Sequence, residues 1–131
     1  MATSIESPEM NLYHGRLIRK DGRLRFEGSG FSLDLGVLQV SLEEAEVQLG
    51  IRPEDIGIGQ GRAAFAQVKV EMLSNVGSEK YIHAHLGHEE LTVRIPKEAT
   101  FEPGEIVPLS IDPDRVHIFH AGRRMPTTRN P

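Results

Sequence analysis

Apolar and polar residues alternate with a period of two along most of this chain. That is the pattern of strands, whose successive side chains point to opposite faces of a sheet. Tyr13 to Arg19 alternates, Lys20-Asp21-Gly22 offers a tight turn, and Leu24 and Phe26 resume the pattern. The pair reads as a hairpin, because Asp-Gly reaches positive φ at little cost. Phe31, Leu33 and Leu35 place a further strand after Gly28-Ser29-Gly30. Only Ser41 to Val47 looks helical: Ser41 stands as a cap, Glu44 completes a capping box, and Glu43 suits the first turn. Gly50 and Pro53 stop any extension, so the helix is expected to last two turns at most.

Val47 to Ile51 predicts a strand, and Arg52-Pro53-Glu54-Asp55 the turn that leaves it. Gly57, Gly59 and Gly61 predict a loop. From Ala64 to Leu73 the alternation puts Ala66, Val68, Val70 and Met72 inward. After a turn at Ser74 to Ser78, Ile82, Ala84 and Leu86 face one way and Tyr81, His83 and His85 the other. Gly87-His88 turns the chain into Leu91, Val93 and Ile95, which Pro96 ends. Glu102-Pro103-Gly104 leads to Val107, Leu109 and Ile111, and Asp112-Pro113-Asp114 separates these from Val116 and Ile118. Residues 121–131 have no periodicity and are expected to form a disordered tail. Eight or nine short strands predict an all-β domain over residues 8–120, preceded by a linker at 1–7. The fold expected is a barrel or a sandwich, or a composite of two small β-barrel elements, with at most one short helix. One element would run to about Gly59 and the other from about Arg62.

Composition narrows the function classes. Fifteen Lys and Arg against nineteen Asp and Glu give a net charge of −4 over 131 residues. A surface built to neutralise a phosphate backbone would be basic and rich in stacking aromatics, so nucleic acid is not an expected partner. With no cysteine there is no disulfide, which fits a reducing compartment. No apolar run approaches the ~20 residues of a membrane-spanning helix. His83 and His85 share a strand face with His88 nearby, yet no cysteine or placed carboxylate completes a metal set, and no metal site is expected. Gly57-Ile58-Gly59-Gln60-Gly61 precedes a strand, whereas a phosphate loop opens a helix. The glutamates at 43, 44, 46, 89 and 90 form no facing pair, and no G-x-S-x-G turn occurs. No catalytic residue and no cofactor-binding residue is expected.

Four segments in order resemble a known family. Leu49-Gly50-Ile51-Arg52-Pro53-Glu54-Asp55-Ile56 resembles a G-[IV]-R-P-E-x-[IL] motif in the C-terminal regulatory domain of ATP-binding subunits of ABC importers, of the maltose and glycerol-phosphate type. Ser7-Pro8-Glu9-Met10-Asn11 resembles the S-P-x-M-N junction that follows the ATPase domain there. Val70-Glu71 through Gly77-Ser78-Glu79 resembles V-E-x-x-E-x-L-G-x-E. Phe101 to Phe119 resembles P-G-x-x-V-x-L-x-[IL]-D-P-x-x-x-H-x-F. The resemblance implies a TOBE-type, OB-like barrel, without catalysis of its own, that regulates and dimerises such a subunit. ATP and Mg would belong to an ATPase domain whose P-loop, signature sequence and switch histidine these residues lack. It also implies three partners: a second copy of the subunit, its ATPase domain, and indirectly the membrane permeases. The location implied is cytoplasmic, peripheral to the inner membrane. Arg52, Pro53 and Glu54 are the expected dimer or regulator contact, with Arg52 also expected in a salt bridge inside the domain. Glu6 departs from the family's usual glycine, and Glu9 puts a carboxylate where oxyanion-binding relatives carry a T-A-R-N-type segment. The junction-like start suggests an excised piece of a longer chain. A stand-alone barrel binding an oxyanion or sugar is the alternative expectation.

Overall fold

The alternation does produce strands throughout. A computed structural model describes residues 10–40, 45–59 and 65–129. In chain order the strands are β1 (Asn11–Lys20), β2 (Arg23–Gly28), β3 (Phe31–Gly36), β4 (Leu38–Val40), β5 (Ala45–Ile51), β6 (Ile56–Ile58) and β7 (Ala66–Lys69). They continue as β8 (Met72–Val76), β9 (Glu79–Leu86), β10 (Glu89–Ile95), β11 (Ile106–Ile111), β12 (His117–His120), β13 (Arg123–Arg124) and β14 (Thr127–Arg129). Among the described residues the only helical pieces are two 3-10 turns, at Pro53–Asp55 and Pro113–Arg115. The protein is all-β, as the pattern predicts, with no helix long and apolar enough to cross a membrane among the described residues.

A six-stranded sheet runs β13-β12-β5-β1-β2-β3, three-stranded sheets run β10-β9-β8 and β6-β11-β7, and β14 pairs with β4. All pairings are antiparallel. The first hairpin forms as read, with Lys20 opposite Arg23 and positive φ at both Asp21 (55°) and Gly22 (78°). That double positive φ matches the right-handed twist of the flanking strands. Inward residues of the sheets merge into one core, in which Tyr13, Leu17, Phe26, Leu49, Leu109 and Ile118 are fully buried. Phe31 packs edge-on against Tyr13 with ring centroids 5.4 Å apart, and meets Phe65 at 5.9 Å.

Several expectations need correction. Ala45 to Val47 is strand, not helix, while Ser41 to Glu44 lies outside the described residues. Pairing with β1 buries Val47, Leu49 and Ile51 on one face, and that burial outweighs the local helix signal of so short a segment. Gly57 sits in β6, not in a loop, because Ile56 to Ile58 pairs with Leu109 to Ile111. Gly61 lies outside the described residues.

Met72 points outward, 53% exposed. The ladder breaks at Val70-Glu71, where Val70 bonds the β11 side and Glu71 crosses to His83, so the alternation loses a step. Tyr81 is buried next to buried Ile82, because both faces of β9 are covered there. The segment assigned to a disordered tail carries β13 and β14, which pair with β12 and β4. Nor do the two halves stay separate. β6 leaves the first to pair with β11, and β12 returns to extend the first sheet beside β5.

The Tyr13 hydroxyl is buried without a hydrogen-bond partner, and burial with the Glu89 charge pushes its pKa far above the ordinary tyrosine value. Because the fold favours the neutral phenol, Tyr13 disfavours the folded state as pH rises above the unfolded pKa of about 10. Tyr13→Phe removes an unpaired polar atom and keeps the ring. Urea unfolding should show a change within about 1 kcal/mol at neutral pH, and a stability less sensitive to alkali.

Candidate functional site

The Arg52-Pro53-Glu54 turn begins where β5 ends, and two neighbours fix it. Asn11 lies opposite Ile51 in the register. Its side chain is buried and donates to the Ile51 carbonyl (3.1 Å) and the Thr92 carbonyl (2.9 Å), while its oxygen accepts from the Thr92 amide at 2.8 Å. One amide thus ties β1, β5 and β10 together immediately before the turn. Arg52 is extended (φ −74°, ψ 147°) and exposed. Pro53 is buried at the first helical position, where its missing N–H would have had no partner anyway. The Asp55 amide donates to the Arg52 carbonyl at 2.9 Å and closes the turn.

Arg52 and Glu54 are both solvent-facing, whereas the half-buried Asp55 pairs with Arg115 at 3.6 Å. Arg115 also reaches Asp112 at 3.8 Å. The salt bridge expected at Arg52 is therefore made three residues later, and Arg52 has no ion-pair partner among the described residues. Its charge acts on His117 on β12. Burial first, then the charges of Arg124 and Arg52, push the His117 pKa down against the opposing pull of Asp55. Glu54 borders two open depressions. One of about 530 Å³ also takes in Arg94, Ser110 and Arg115. The other, about 310 Å³, adds Ser78, Glu79 and Lys97. Arg94 lines both and pairs with Glu79 at 3.5 Å.

The histidines are engaged separately. His83 shares a hydrogen bond with the Ser74 hydroxyl at 2.8 Å, and His85 bonds the Glu71 carboxylate at 2.8 Å. His88 lies in the β9–β10 turn. Among the described residues, no group of three or more histidines and carboxylates is placed to hold a metal. Asn11 carries no signal of its own in the sequence. It stands in the S-P-x-M-N segment, but nothing local says that an asparagine at the start of an alternating strand points inward to Thr92.

Comparison with known proteins bears on both halves of this site. A family model described as the TOBE domain matches residues 49–119. The chain belongs to the TOBE domain family. A second model, the MalK OB fold domain, matches residues 7–56 of this TOBE chain. The two matches overlap on the end of β5 and the Arg52-Pro53-Glu54 turn, the stretch where the structure interlaces its two halves.

Among similar proteins, the sulfoquinovosyl glycerol transport ATP-binding protein SmoE of Agrobacterium fabrum is 33% identical over 89% of this TOBE chain and 33% of its own length. The sn-glycerol-3-phosphate import ATP-binding protein UgpC of Paraburkholderia xenovorans is 33% identical over 95% of the chain and 36% of its own length. The uncharacterized ABC transporter ATP-binding protein YurJ of Bacillus subtilis is 31% identical over 92% and 36%. The chain thus spans about a third of the length of the curated relatives it matches.

Proposed function

We propose that the chain is a non-catalytic regulatory and dimerisation domain of an ATP-binding subunit of an ABC importer, serving a sugar, a glycerol phosphate or a similar solute. The observation that carries this reading is the double match. An OB element of the MalK type and a TOBE element meet on one shared turn, and the relatives that carry the same stretch are ATP-binding proteins of importers. On this reading, ATP and Mg bind an ATPase domain and none of the residues here. A second copy of the subunit, that ATPase domain and, through it, the permeases are the partners. The domain works in the cytoplasm, peripheral to the inner membrane.

Arg52, Pro53 and Glu54 are the proposed dimer or regulator contact. The buried Pro53 holds the turn rigid while Arg52 and Glu54 present opposite charges to solvent on either side of it. A self-complementary patch of that kind suits a two-fold interface. Sedimentation equilibrium of the isolated chain should show weak self-association, with Kd of roughly 0.1–1 mM, the range expected when only a fraction of an interface is present. Exchanging charge at Arg52→Glu should weaken it, and Arg52→Glu with Glu54→Arg should restore part of it. A strict monomer at millimolar concentration would remove dimerisation from the reading. The alternative, a stand-alone barrel for a small oxyanion or sugar, wants an enclosed site, whereas the depressions beside Glu54 are open to solvent.

A further inference from the structure

The outer face of the six-stranded sheet carries a feature that the turn alone does not explain. Register decides which side chains share that face. Leu12 lies opposite Gly50 and Gly50 opposite His117, while Phe119 lies opposite both Gln48 and Arg124. The intervening row of Tyr13, Leu49 and Ile118 points into the core and is fully buried. Gly50 has no side chain, and three apolar groups lean over the gap. A Cβ there would overlap Met10 Sδ and lie 2.9 Å from Phe119 Cε2 and 3.4 Å from Leu12 Cδ2. Even so packed, Leu12 remains 43% exposed, and Met10 and Phe119 are only half-buried. On one side of this patch is an open depression of about 530 Å³ between Phe119, His14, Gln48 and Gly122. Arg124, opposite Phe119, and Arg52, just past the end of β5, are exposed, and neither has a carboxylate partner among the described residues. The charges of both guanidiniums act on the half-buried His117 ring.

We propose that this face docks an acidic segment of a partner protein, one apolar side chain resting on the Met10–Leu12–Phe119 patch and carboxylates meeting Arg52 and Arg124. The proposal rests on the contact reading of Arg52 above and gives that contact a chemistry. Two features fix the occupant. Arg52 and Arg124 are exposed cations with no carboxylate partner among the described residues, so the complement to them is anionic. The centre is apolar, so a bare oxyanion would leave Leu12 in water, while a nucleic-acid backbone would meet a chain of net charge −4. A chain segment alternating apolar and acidic side chains satisfies both halves at once.

The test uses the full chain and a defined probe, a capped hexapeptide alternating glutamate with leucine and phenylalanine. Its control carries glutamine for glutamate. In two-dimensional NMR the acidic peptide should move amides of Met10 to Arg16, Glu46 to Arg52 and His117 to Arg124, and raise the His117 titration midpoint as carboxylates offset the two guanidiniums. Arg52→Gln with Arg124→Gln should weaken binding by about tenfold, as should the glutamine peptide. Leu12→Ser should weaken it by about threefold to tenfold. These side chains are exposed, so each variant should keep the parent melting temperature.

Shifts confined to some other face, or equal affinity for the glutamine peptide, would overturn the proposal. So would tighter binding to a single-stranded oligonucleotide or to phosphatidylglycerol vesicles than to the acidic peptide. Sedimentation on the same samples separates the two readings: a monomer that binds the peptide loses the dimer and keeps this surface, and a dimer indifferent to the peptide does the reverse.

Discussion

Replacing Asn11 with alanine should lower the unfolding free energy by about 2–4 kcal/mol. The side chain is buried and makes three hydrogen bonds, to the Ile51 carbonyl and to the backbone carbonyl and amide of Thr92. Truncation does more than remove three modest net contributions. It leaves the Thr92 amide and two carbonyls facing a small void, and unpaired polar groups are the expensive outcome. Asn11→Asp sharpens the assignment. An ionised carboxylate there still accepts from the Thr92 amide but confronts two carbonyl oxygens, so its pKa in the fold is raised above the unfolded value near 3.9. The neutral form is the one the fold tolerates. Stability of this variant should therefore be highest below about pH 4 and fall as pH rises through the shifted midpoint. Urea unfolding at pH 4 and pH 7 reads this directly, and a variant equally stable at both would show that Asn11 is not clamped as described. Hydrogen exchange should also quicken at the turn after Ile51 if the clamp is what holds Arg52 and Glu54 in place.

How much of this was legible beforehand follows from range. The β1–β2 hairpin was readable because its cause is local: Asp21 and Gly22 supply two positive φ values, and the apolar residues on either side keep step. The Arg52-Pro53-Glu54 turn was readable for the same reason, with Pro53 fixing φ. The failures came where a distant partner decides. Ser41 to Val47 carries helix-start residues, but Val47 faces β1, a contact between residues more than thirty apart in sequence.

Met72 continues an alternation that the chain abandons at Val70, because Val70 and Glu71 bond to different neighbours. Tyr81 sits on the face its neighbours mark as polar, yet packing on β9 covers both faces. At the site the limit is similar. The sequence points to Arg52 as a charge to be paired inside the domain, but Arg115 arrives at Asp55 from the far end of the chain and takes the carboxylate. Nothing near Arg52 in sequence announces His117, Phe119 and Arg124, which reach the same sheet face only because β12 returns beside β5.

Gly87→Ala should be at least as damaging as the loss of Asn11, costing about 3 kcal/mol or more. Gly87 occupies the β9–β10 turn with φ at 64°, and a Cβ there would overlap the Ser29 carbonyl oxygen and lie 2.6 Å from its carbon. These are backbone atoms of the β2–β3 turn and cannot swing aside as a side chain would. Gly30 meets the same contact from the other side, since its Cβ would lie 2.9 Å from the Gly87 Cα. Two terms add. Left-handed backbone alone costs an alanine about 1–2 kcal/mol. The steric term then forces the two turns apart.

Gly22→Ala isolates the first term, because Gly22 also has positive φ (78°) but nothing within 4 Å of its Cβ. Gly22→Ala should cost about 1 kcal/mol, and Gly87→Ala clearly more. Equal costs would mean that the turns do not touch. The consequence for architecture is specific. β10 is joined to the first sheet near its start by the Gly87–Ser29 approach and in its middle by Asn11–Thr92. Loosening the first join while keeping the second should leave the Arg52 turn ordered and let the β8-β9-β10 sheet open on its own. Amide exchange that speeds up in Glu79 to Ile95 while Asn11 to Leu17 stays protected is the expected signature, whereas uniform acceleration would indicate that the two sheets unfold as a single unit.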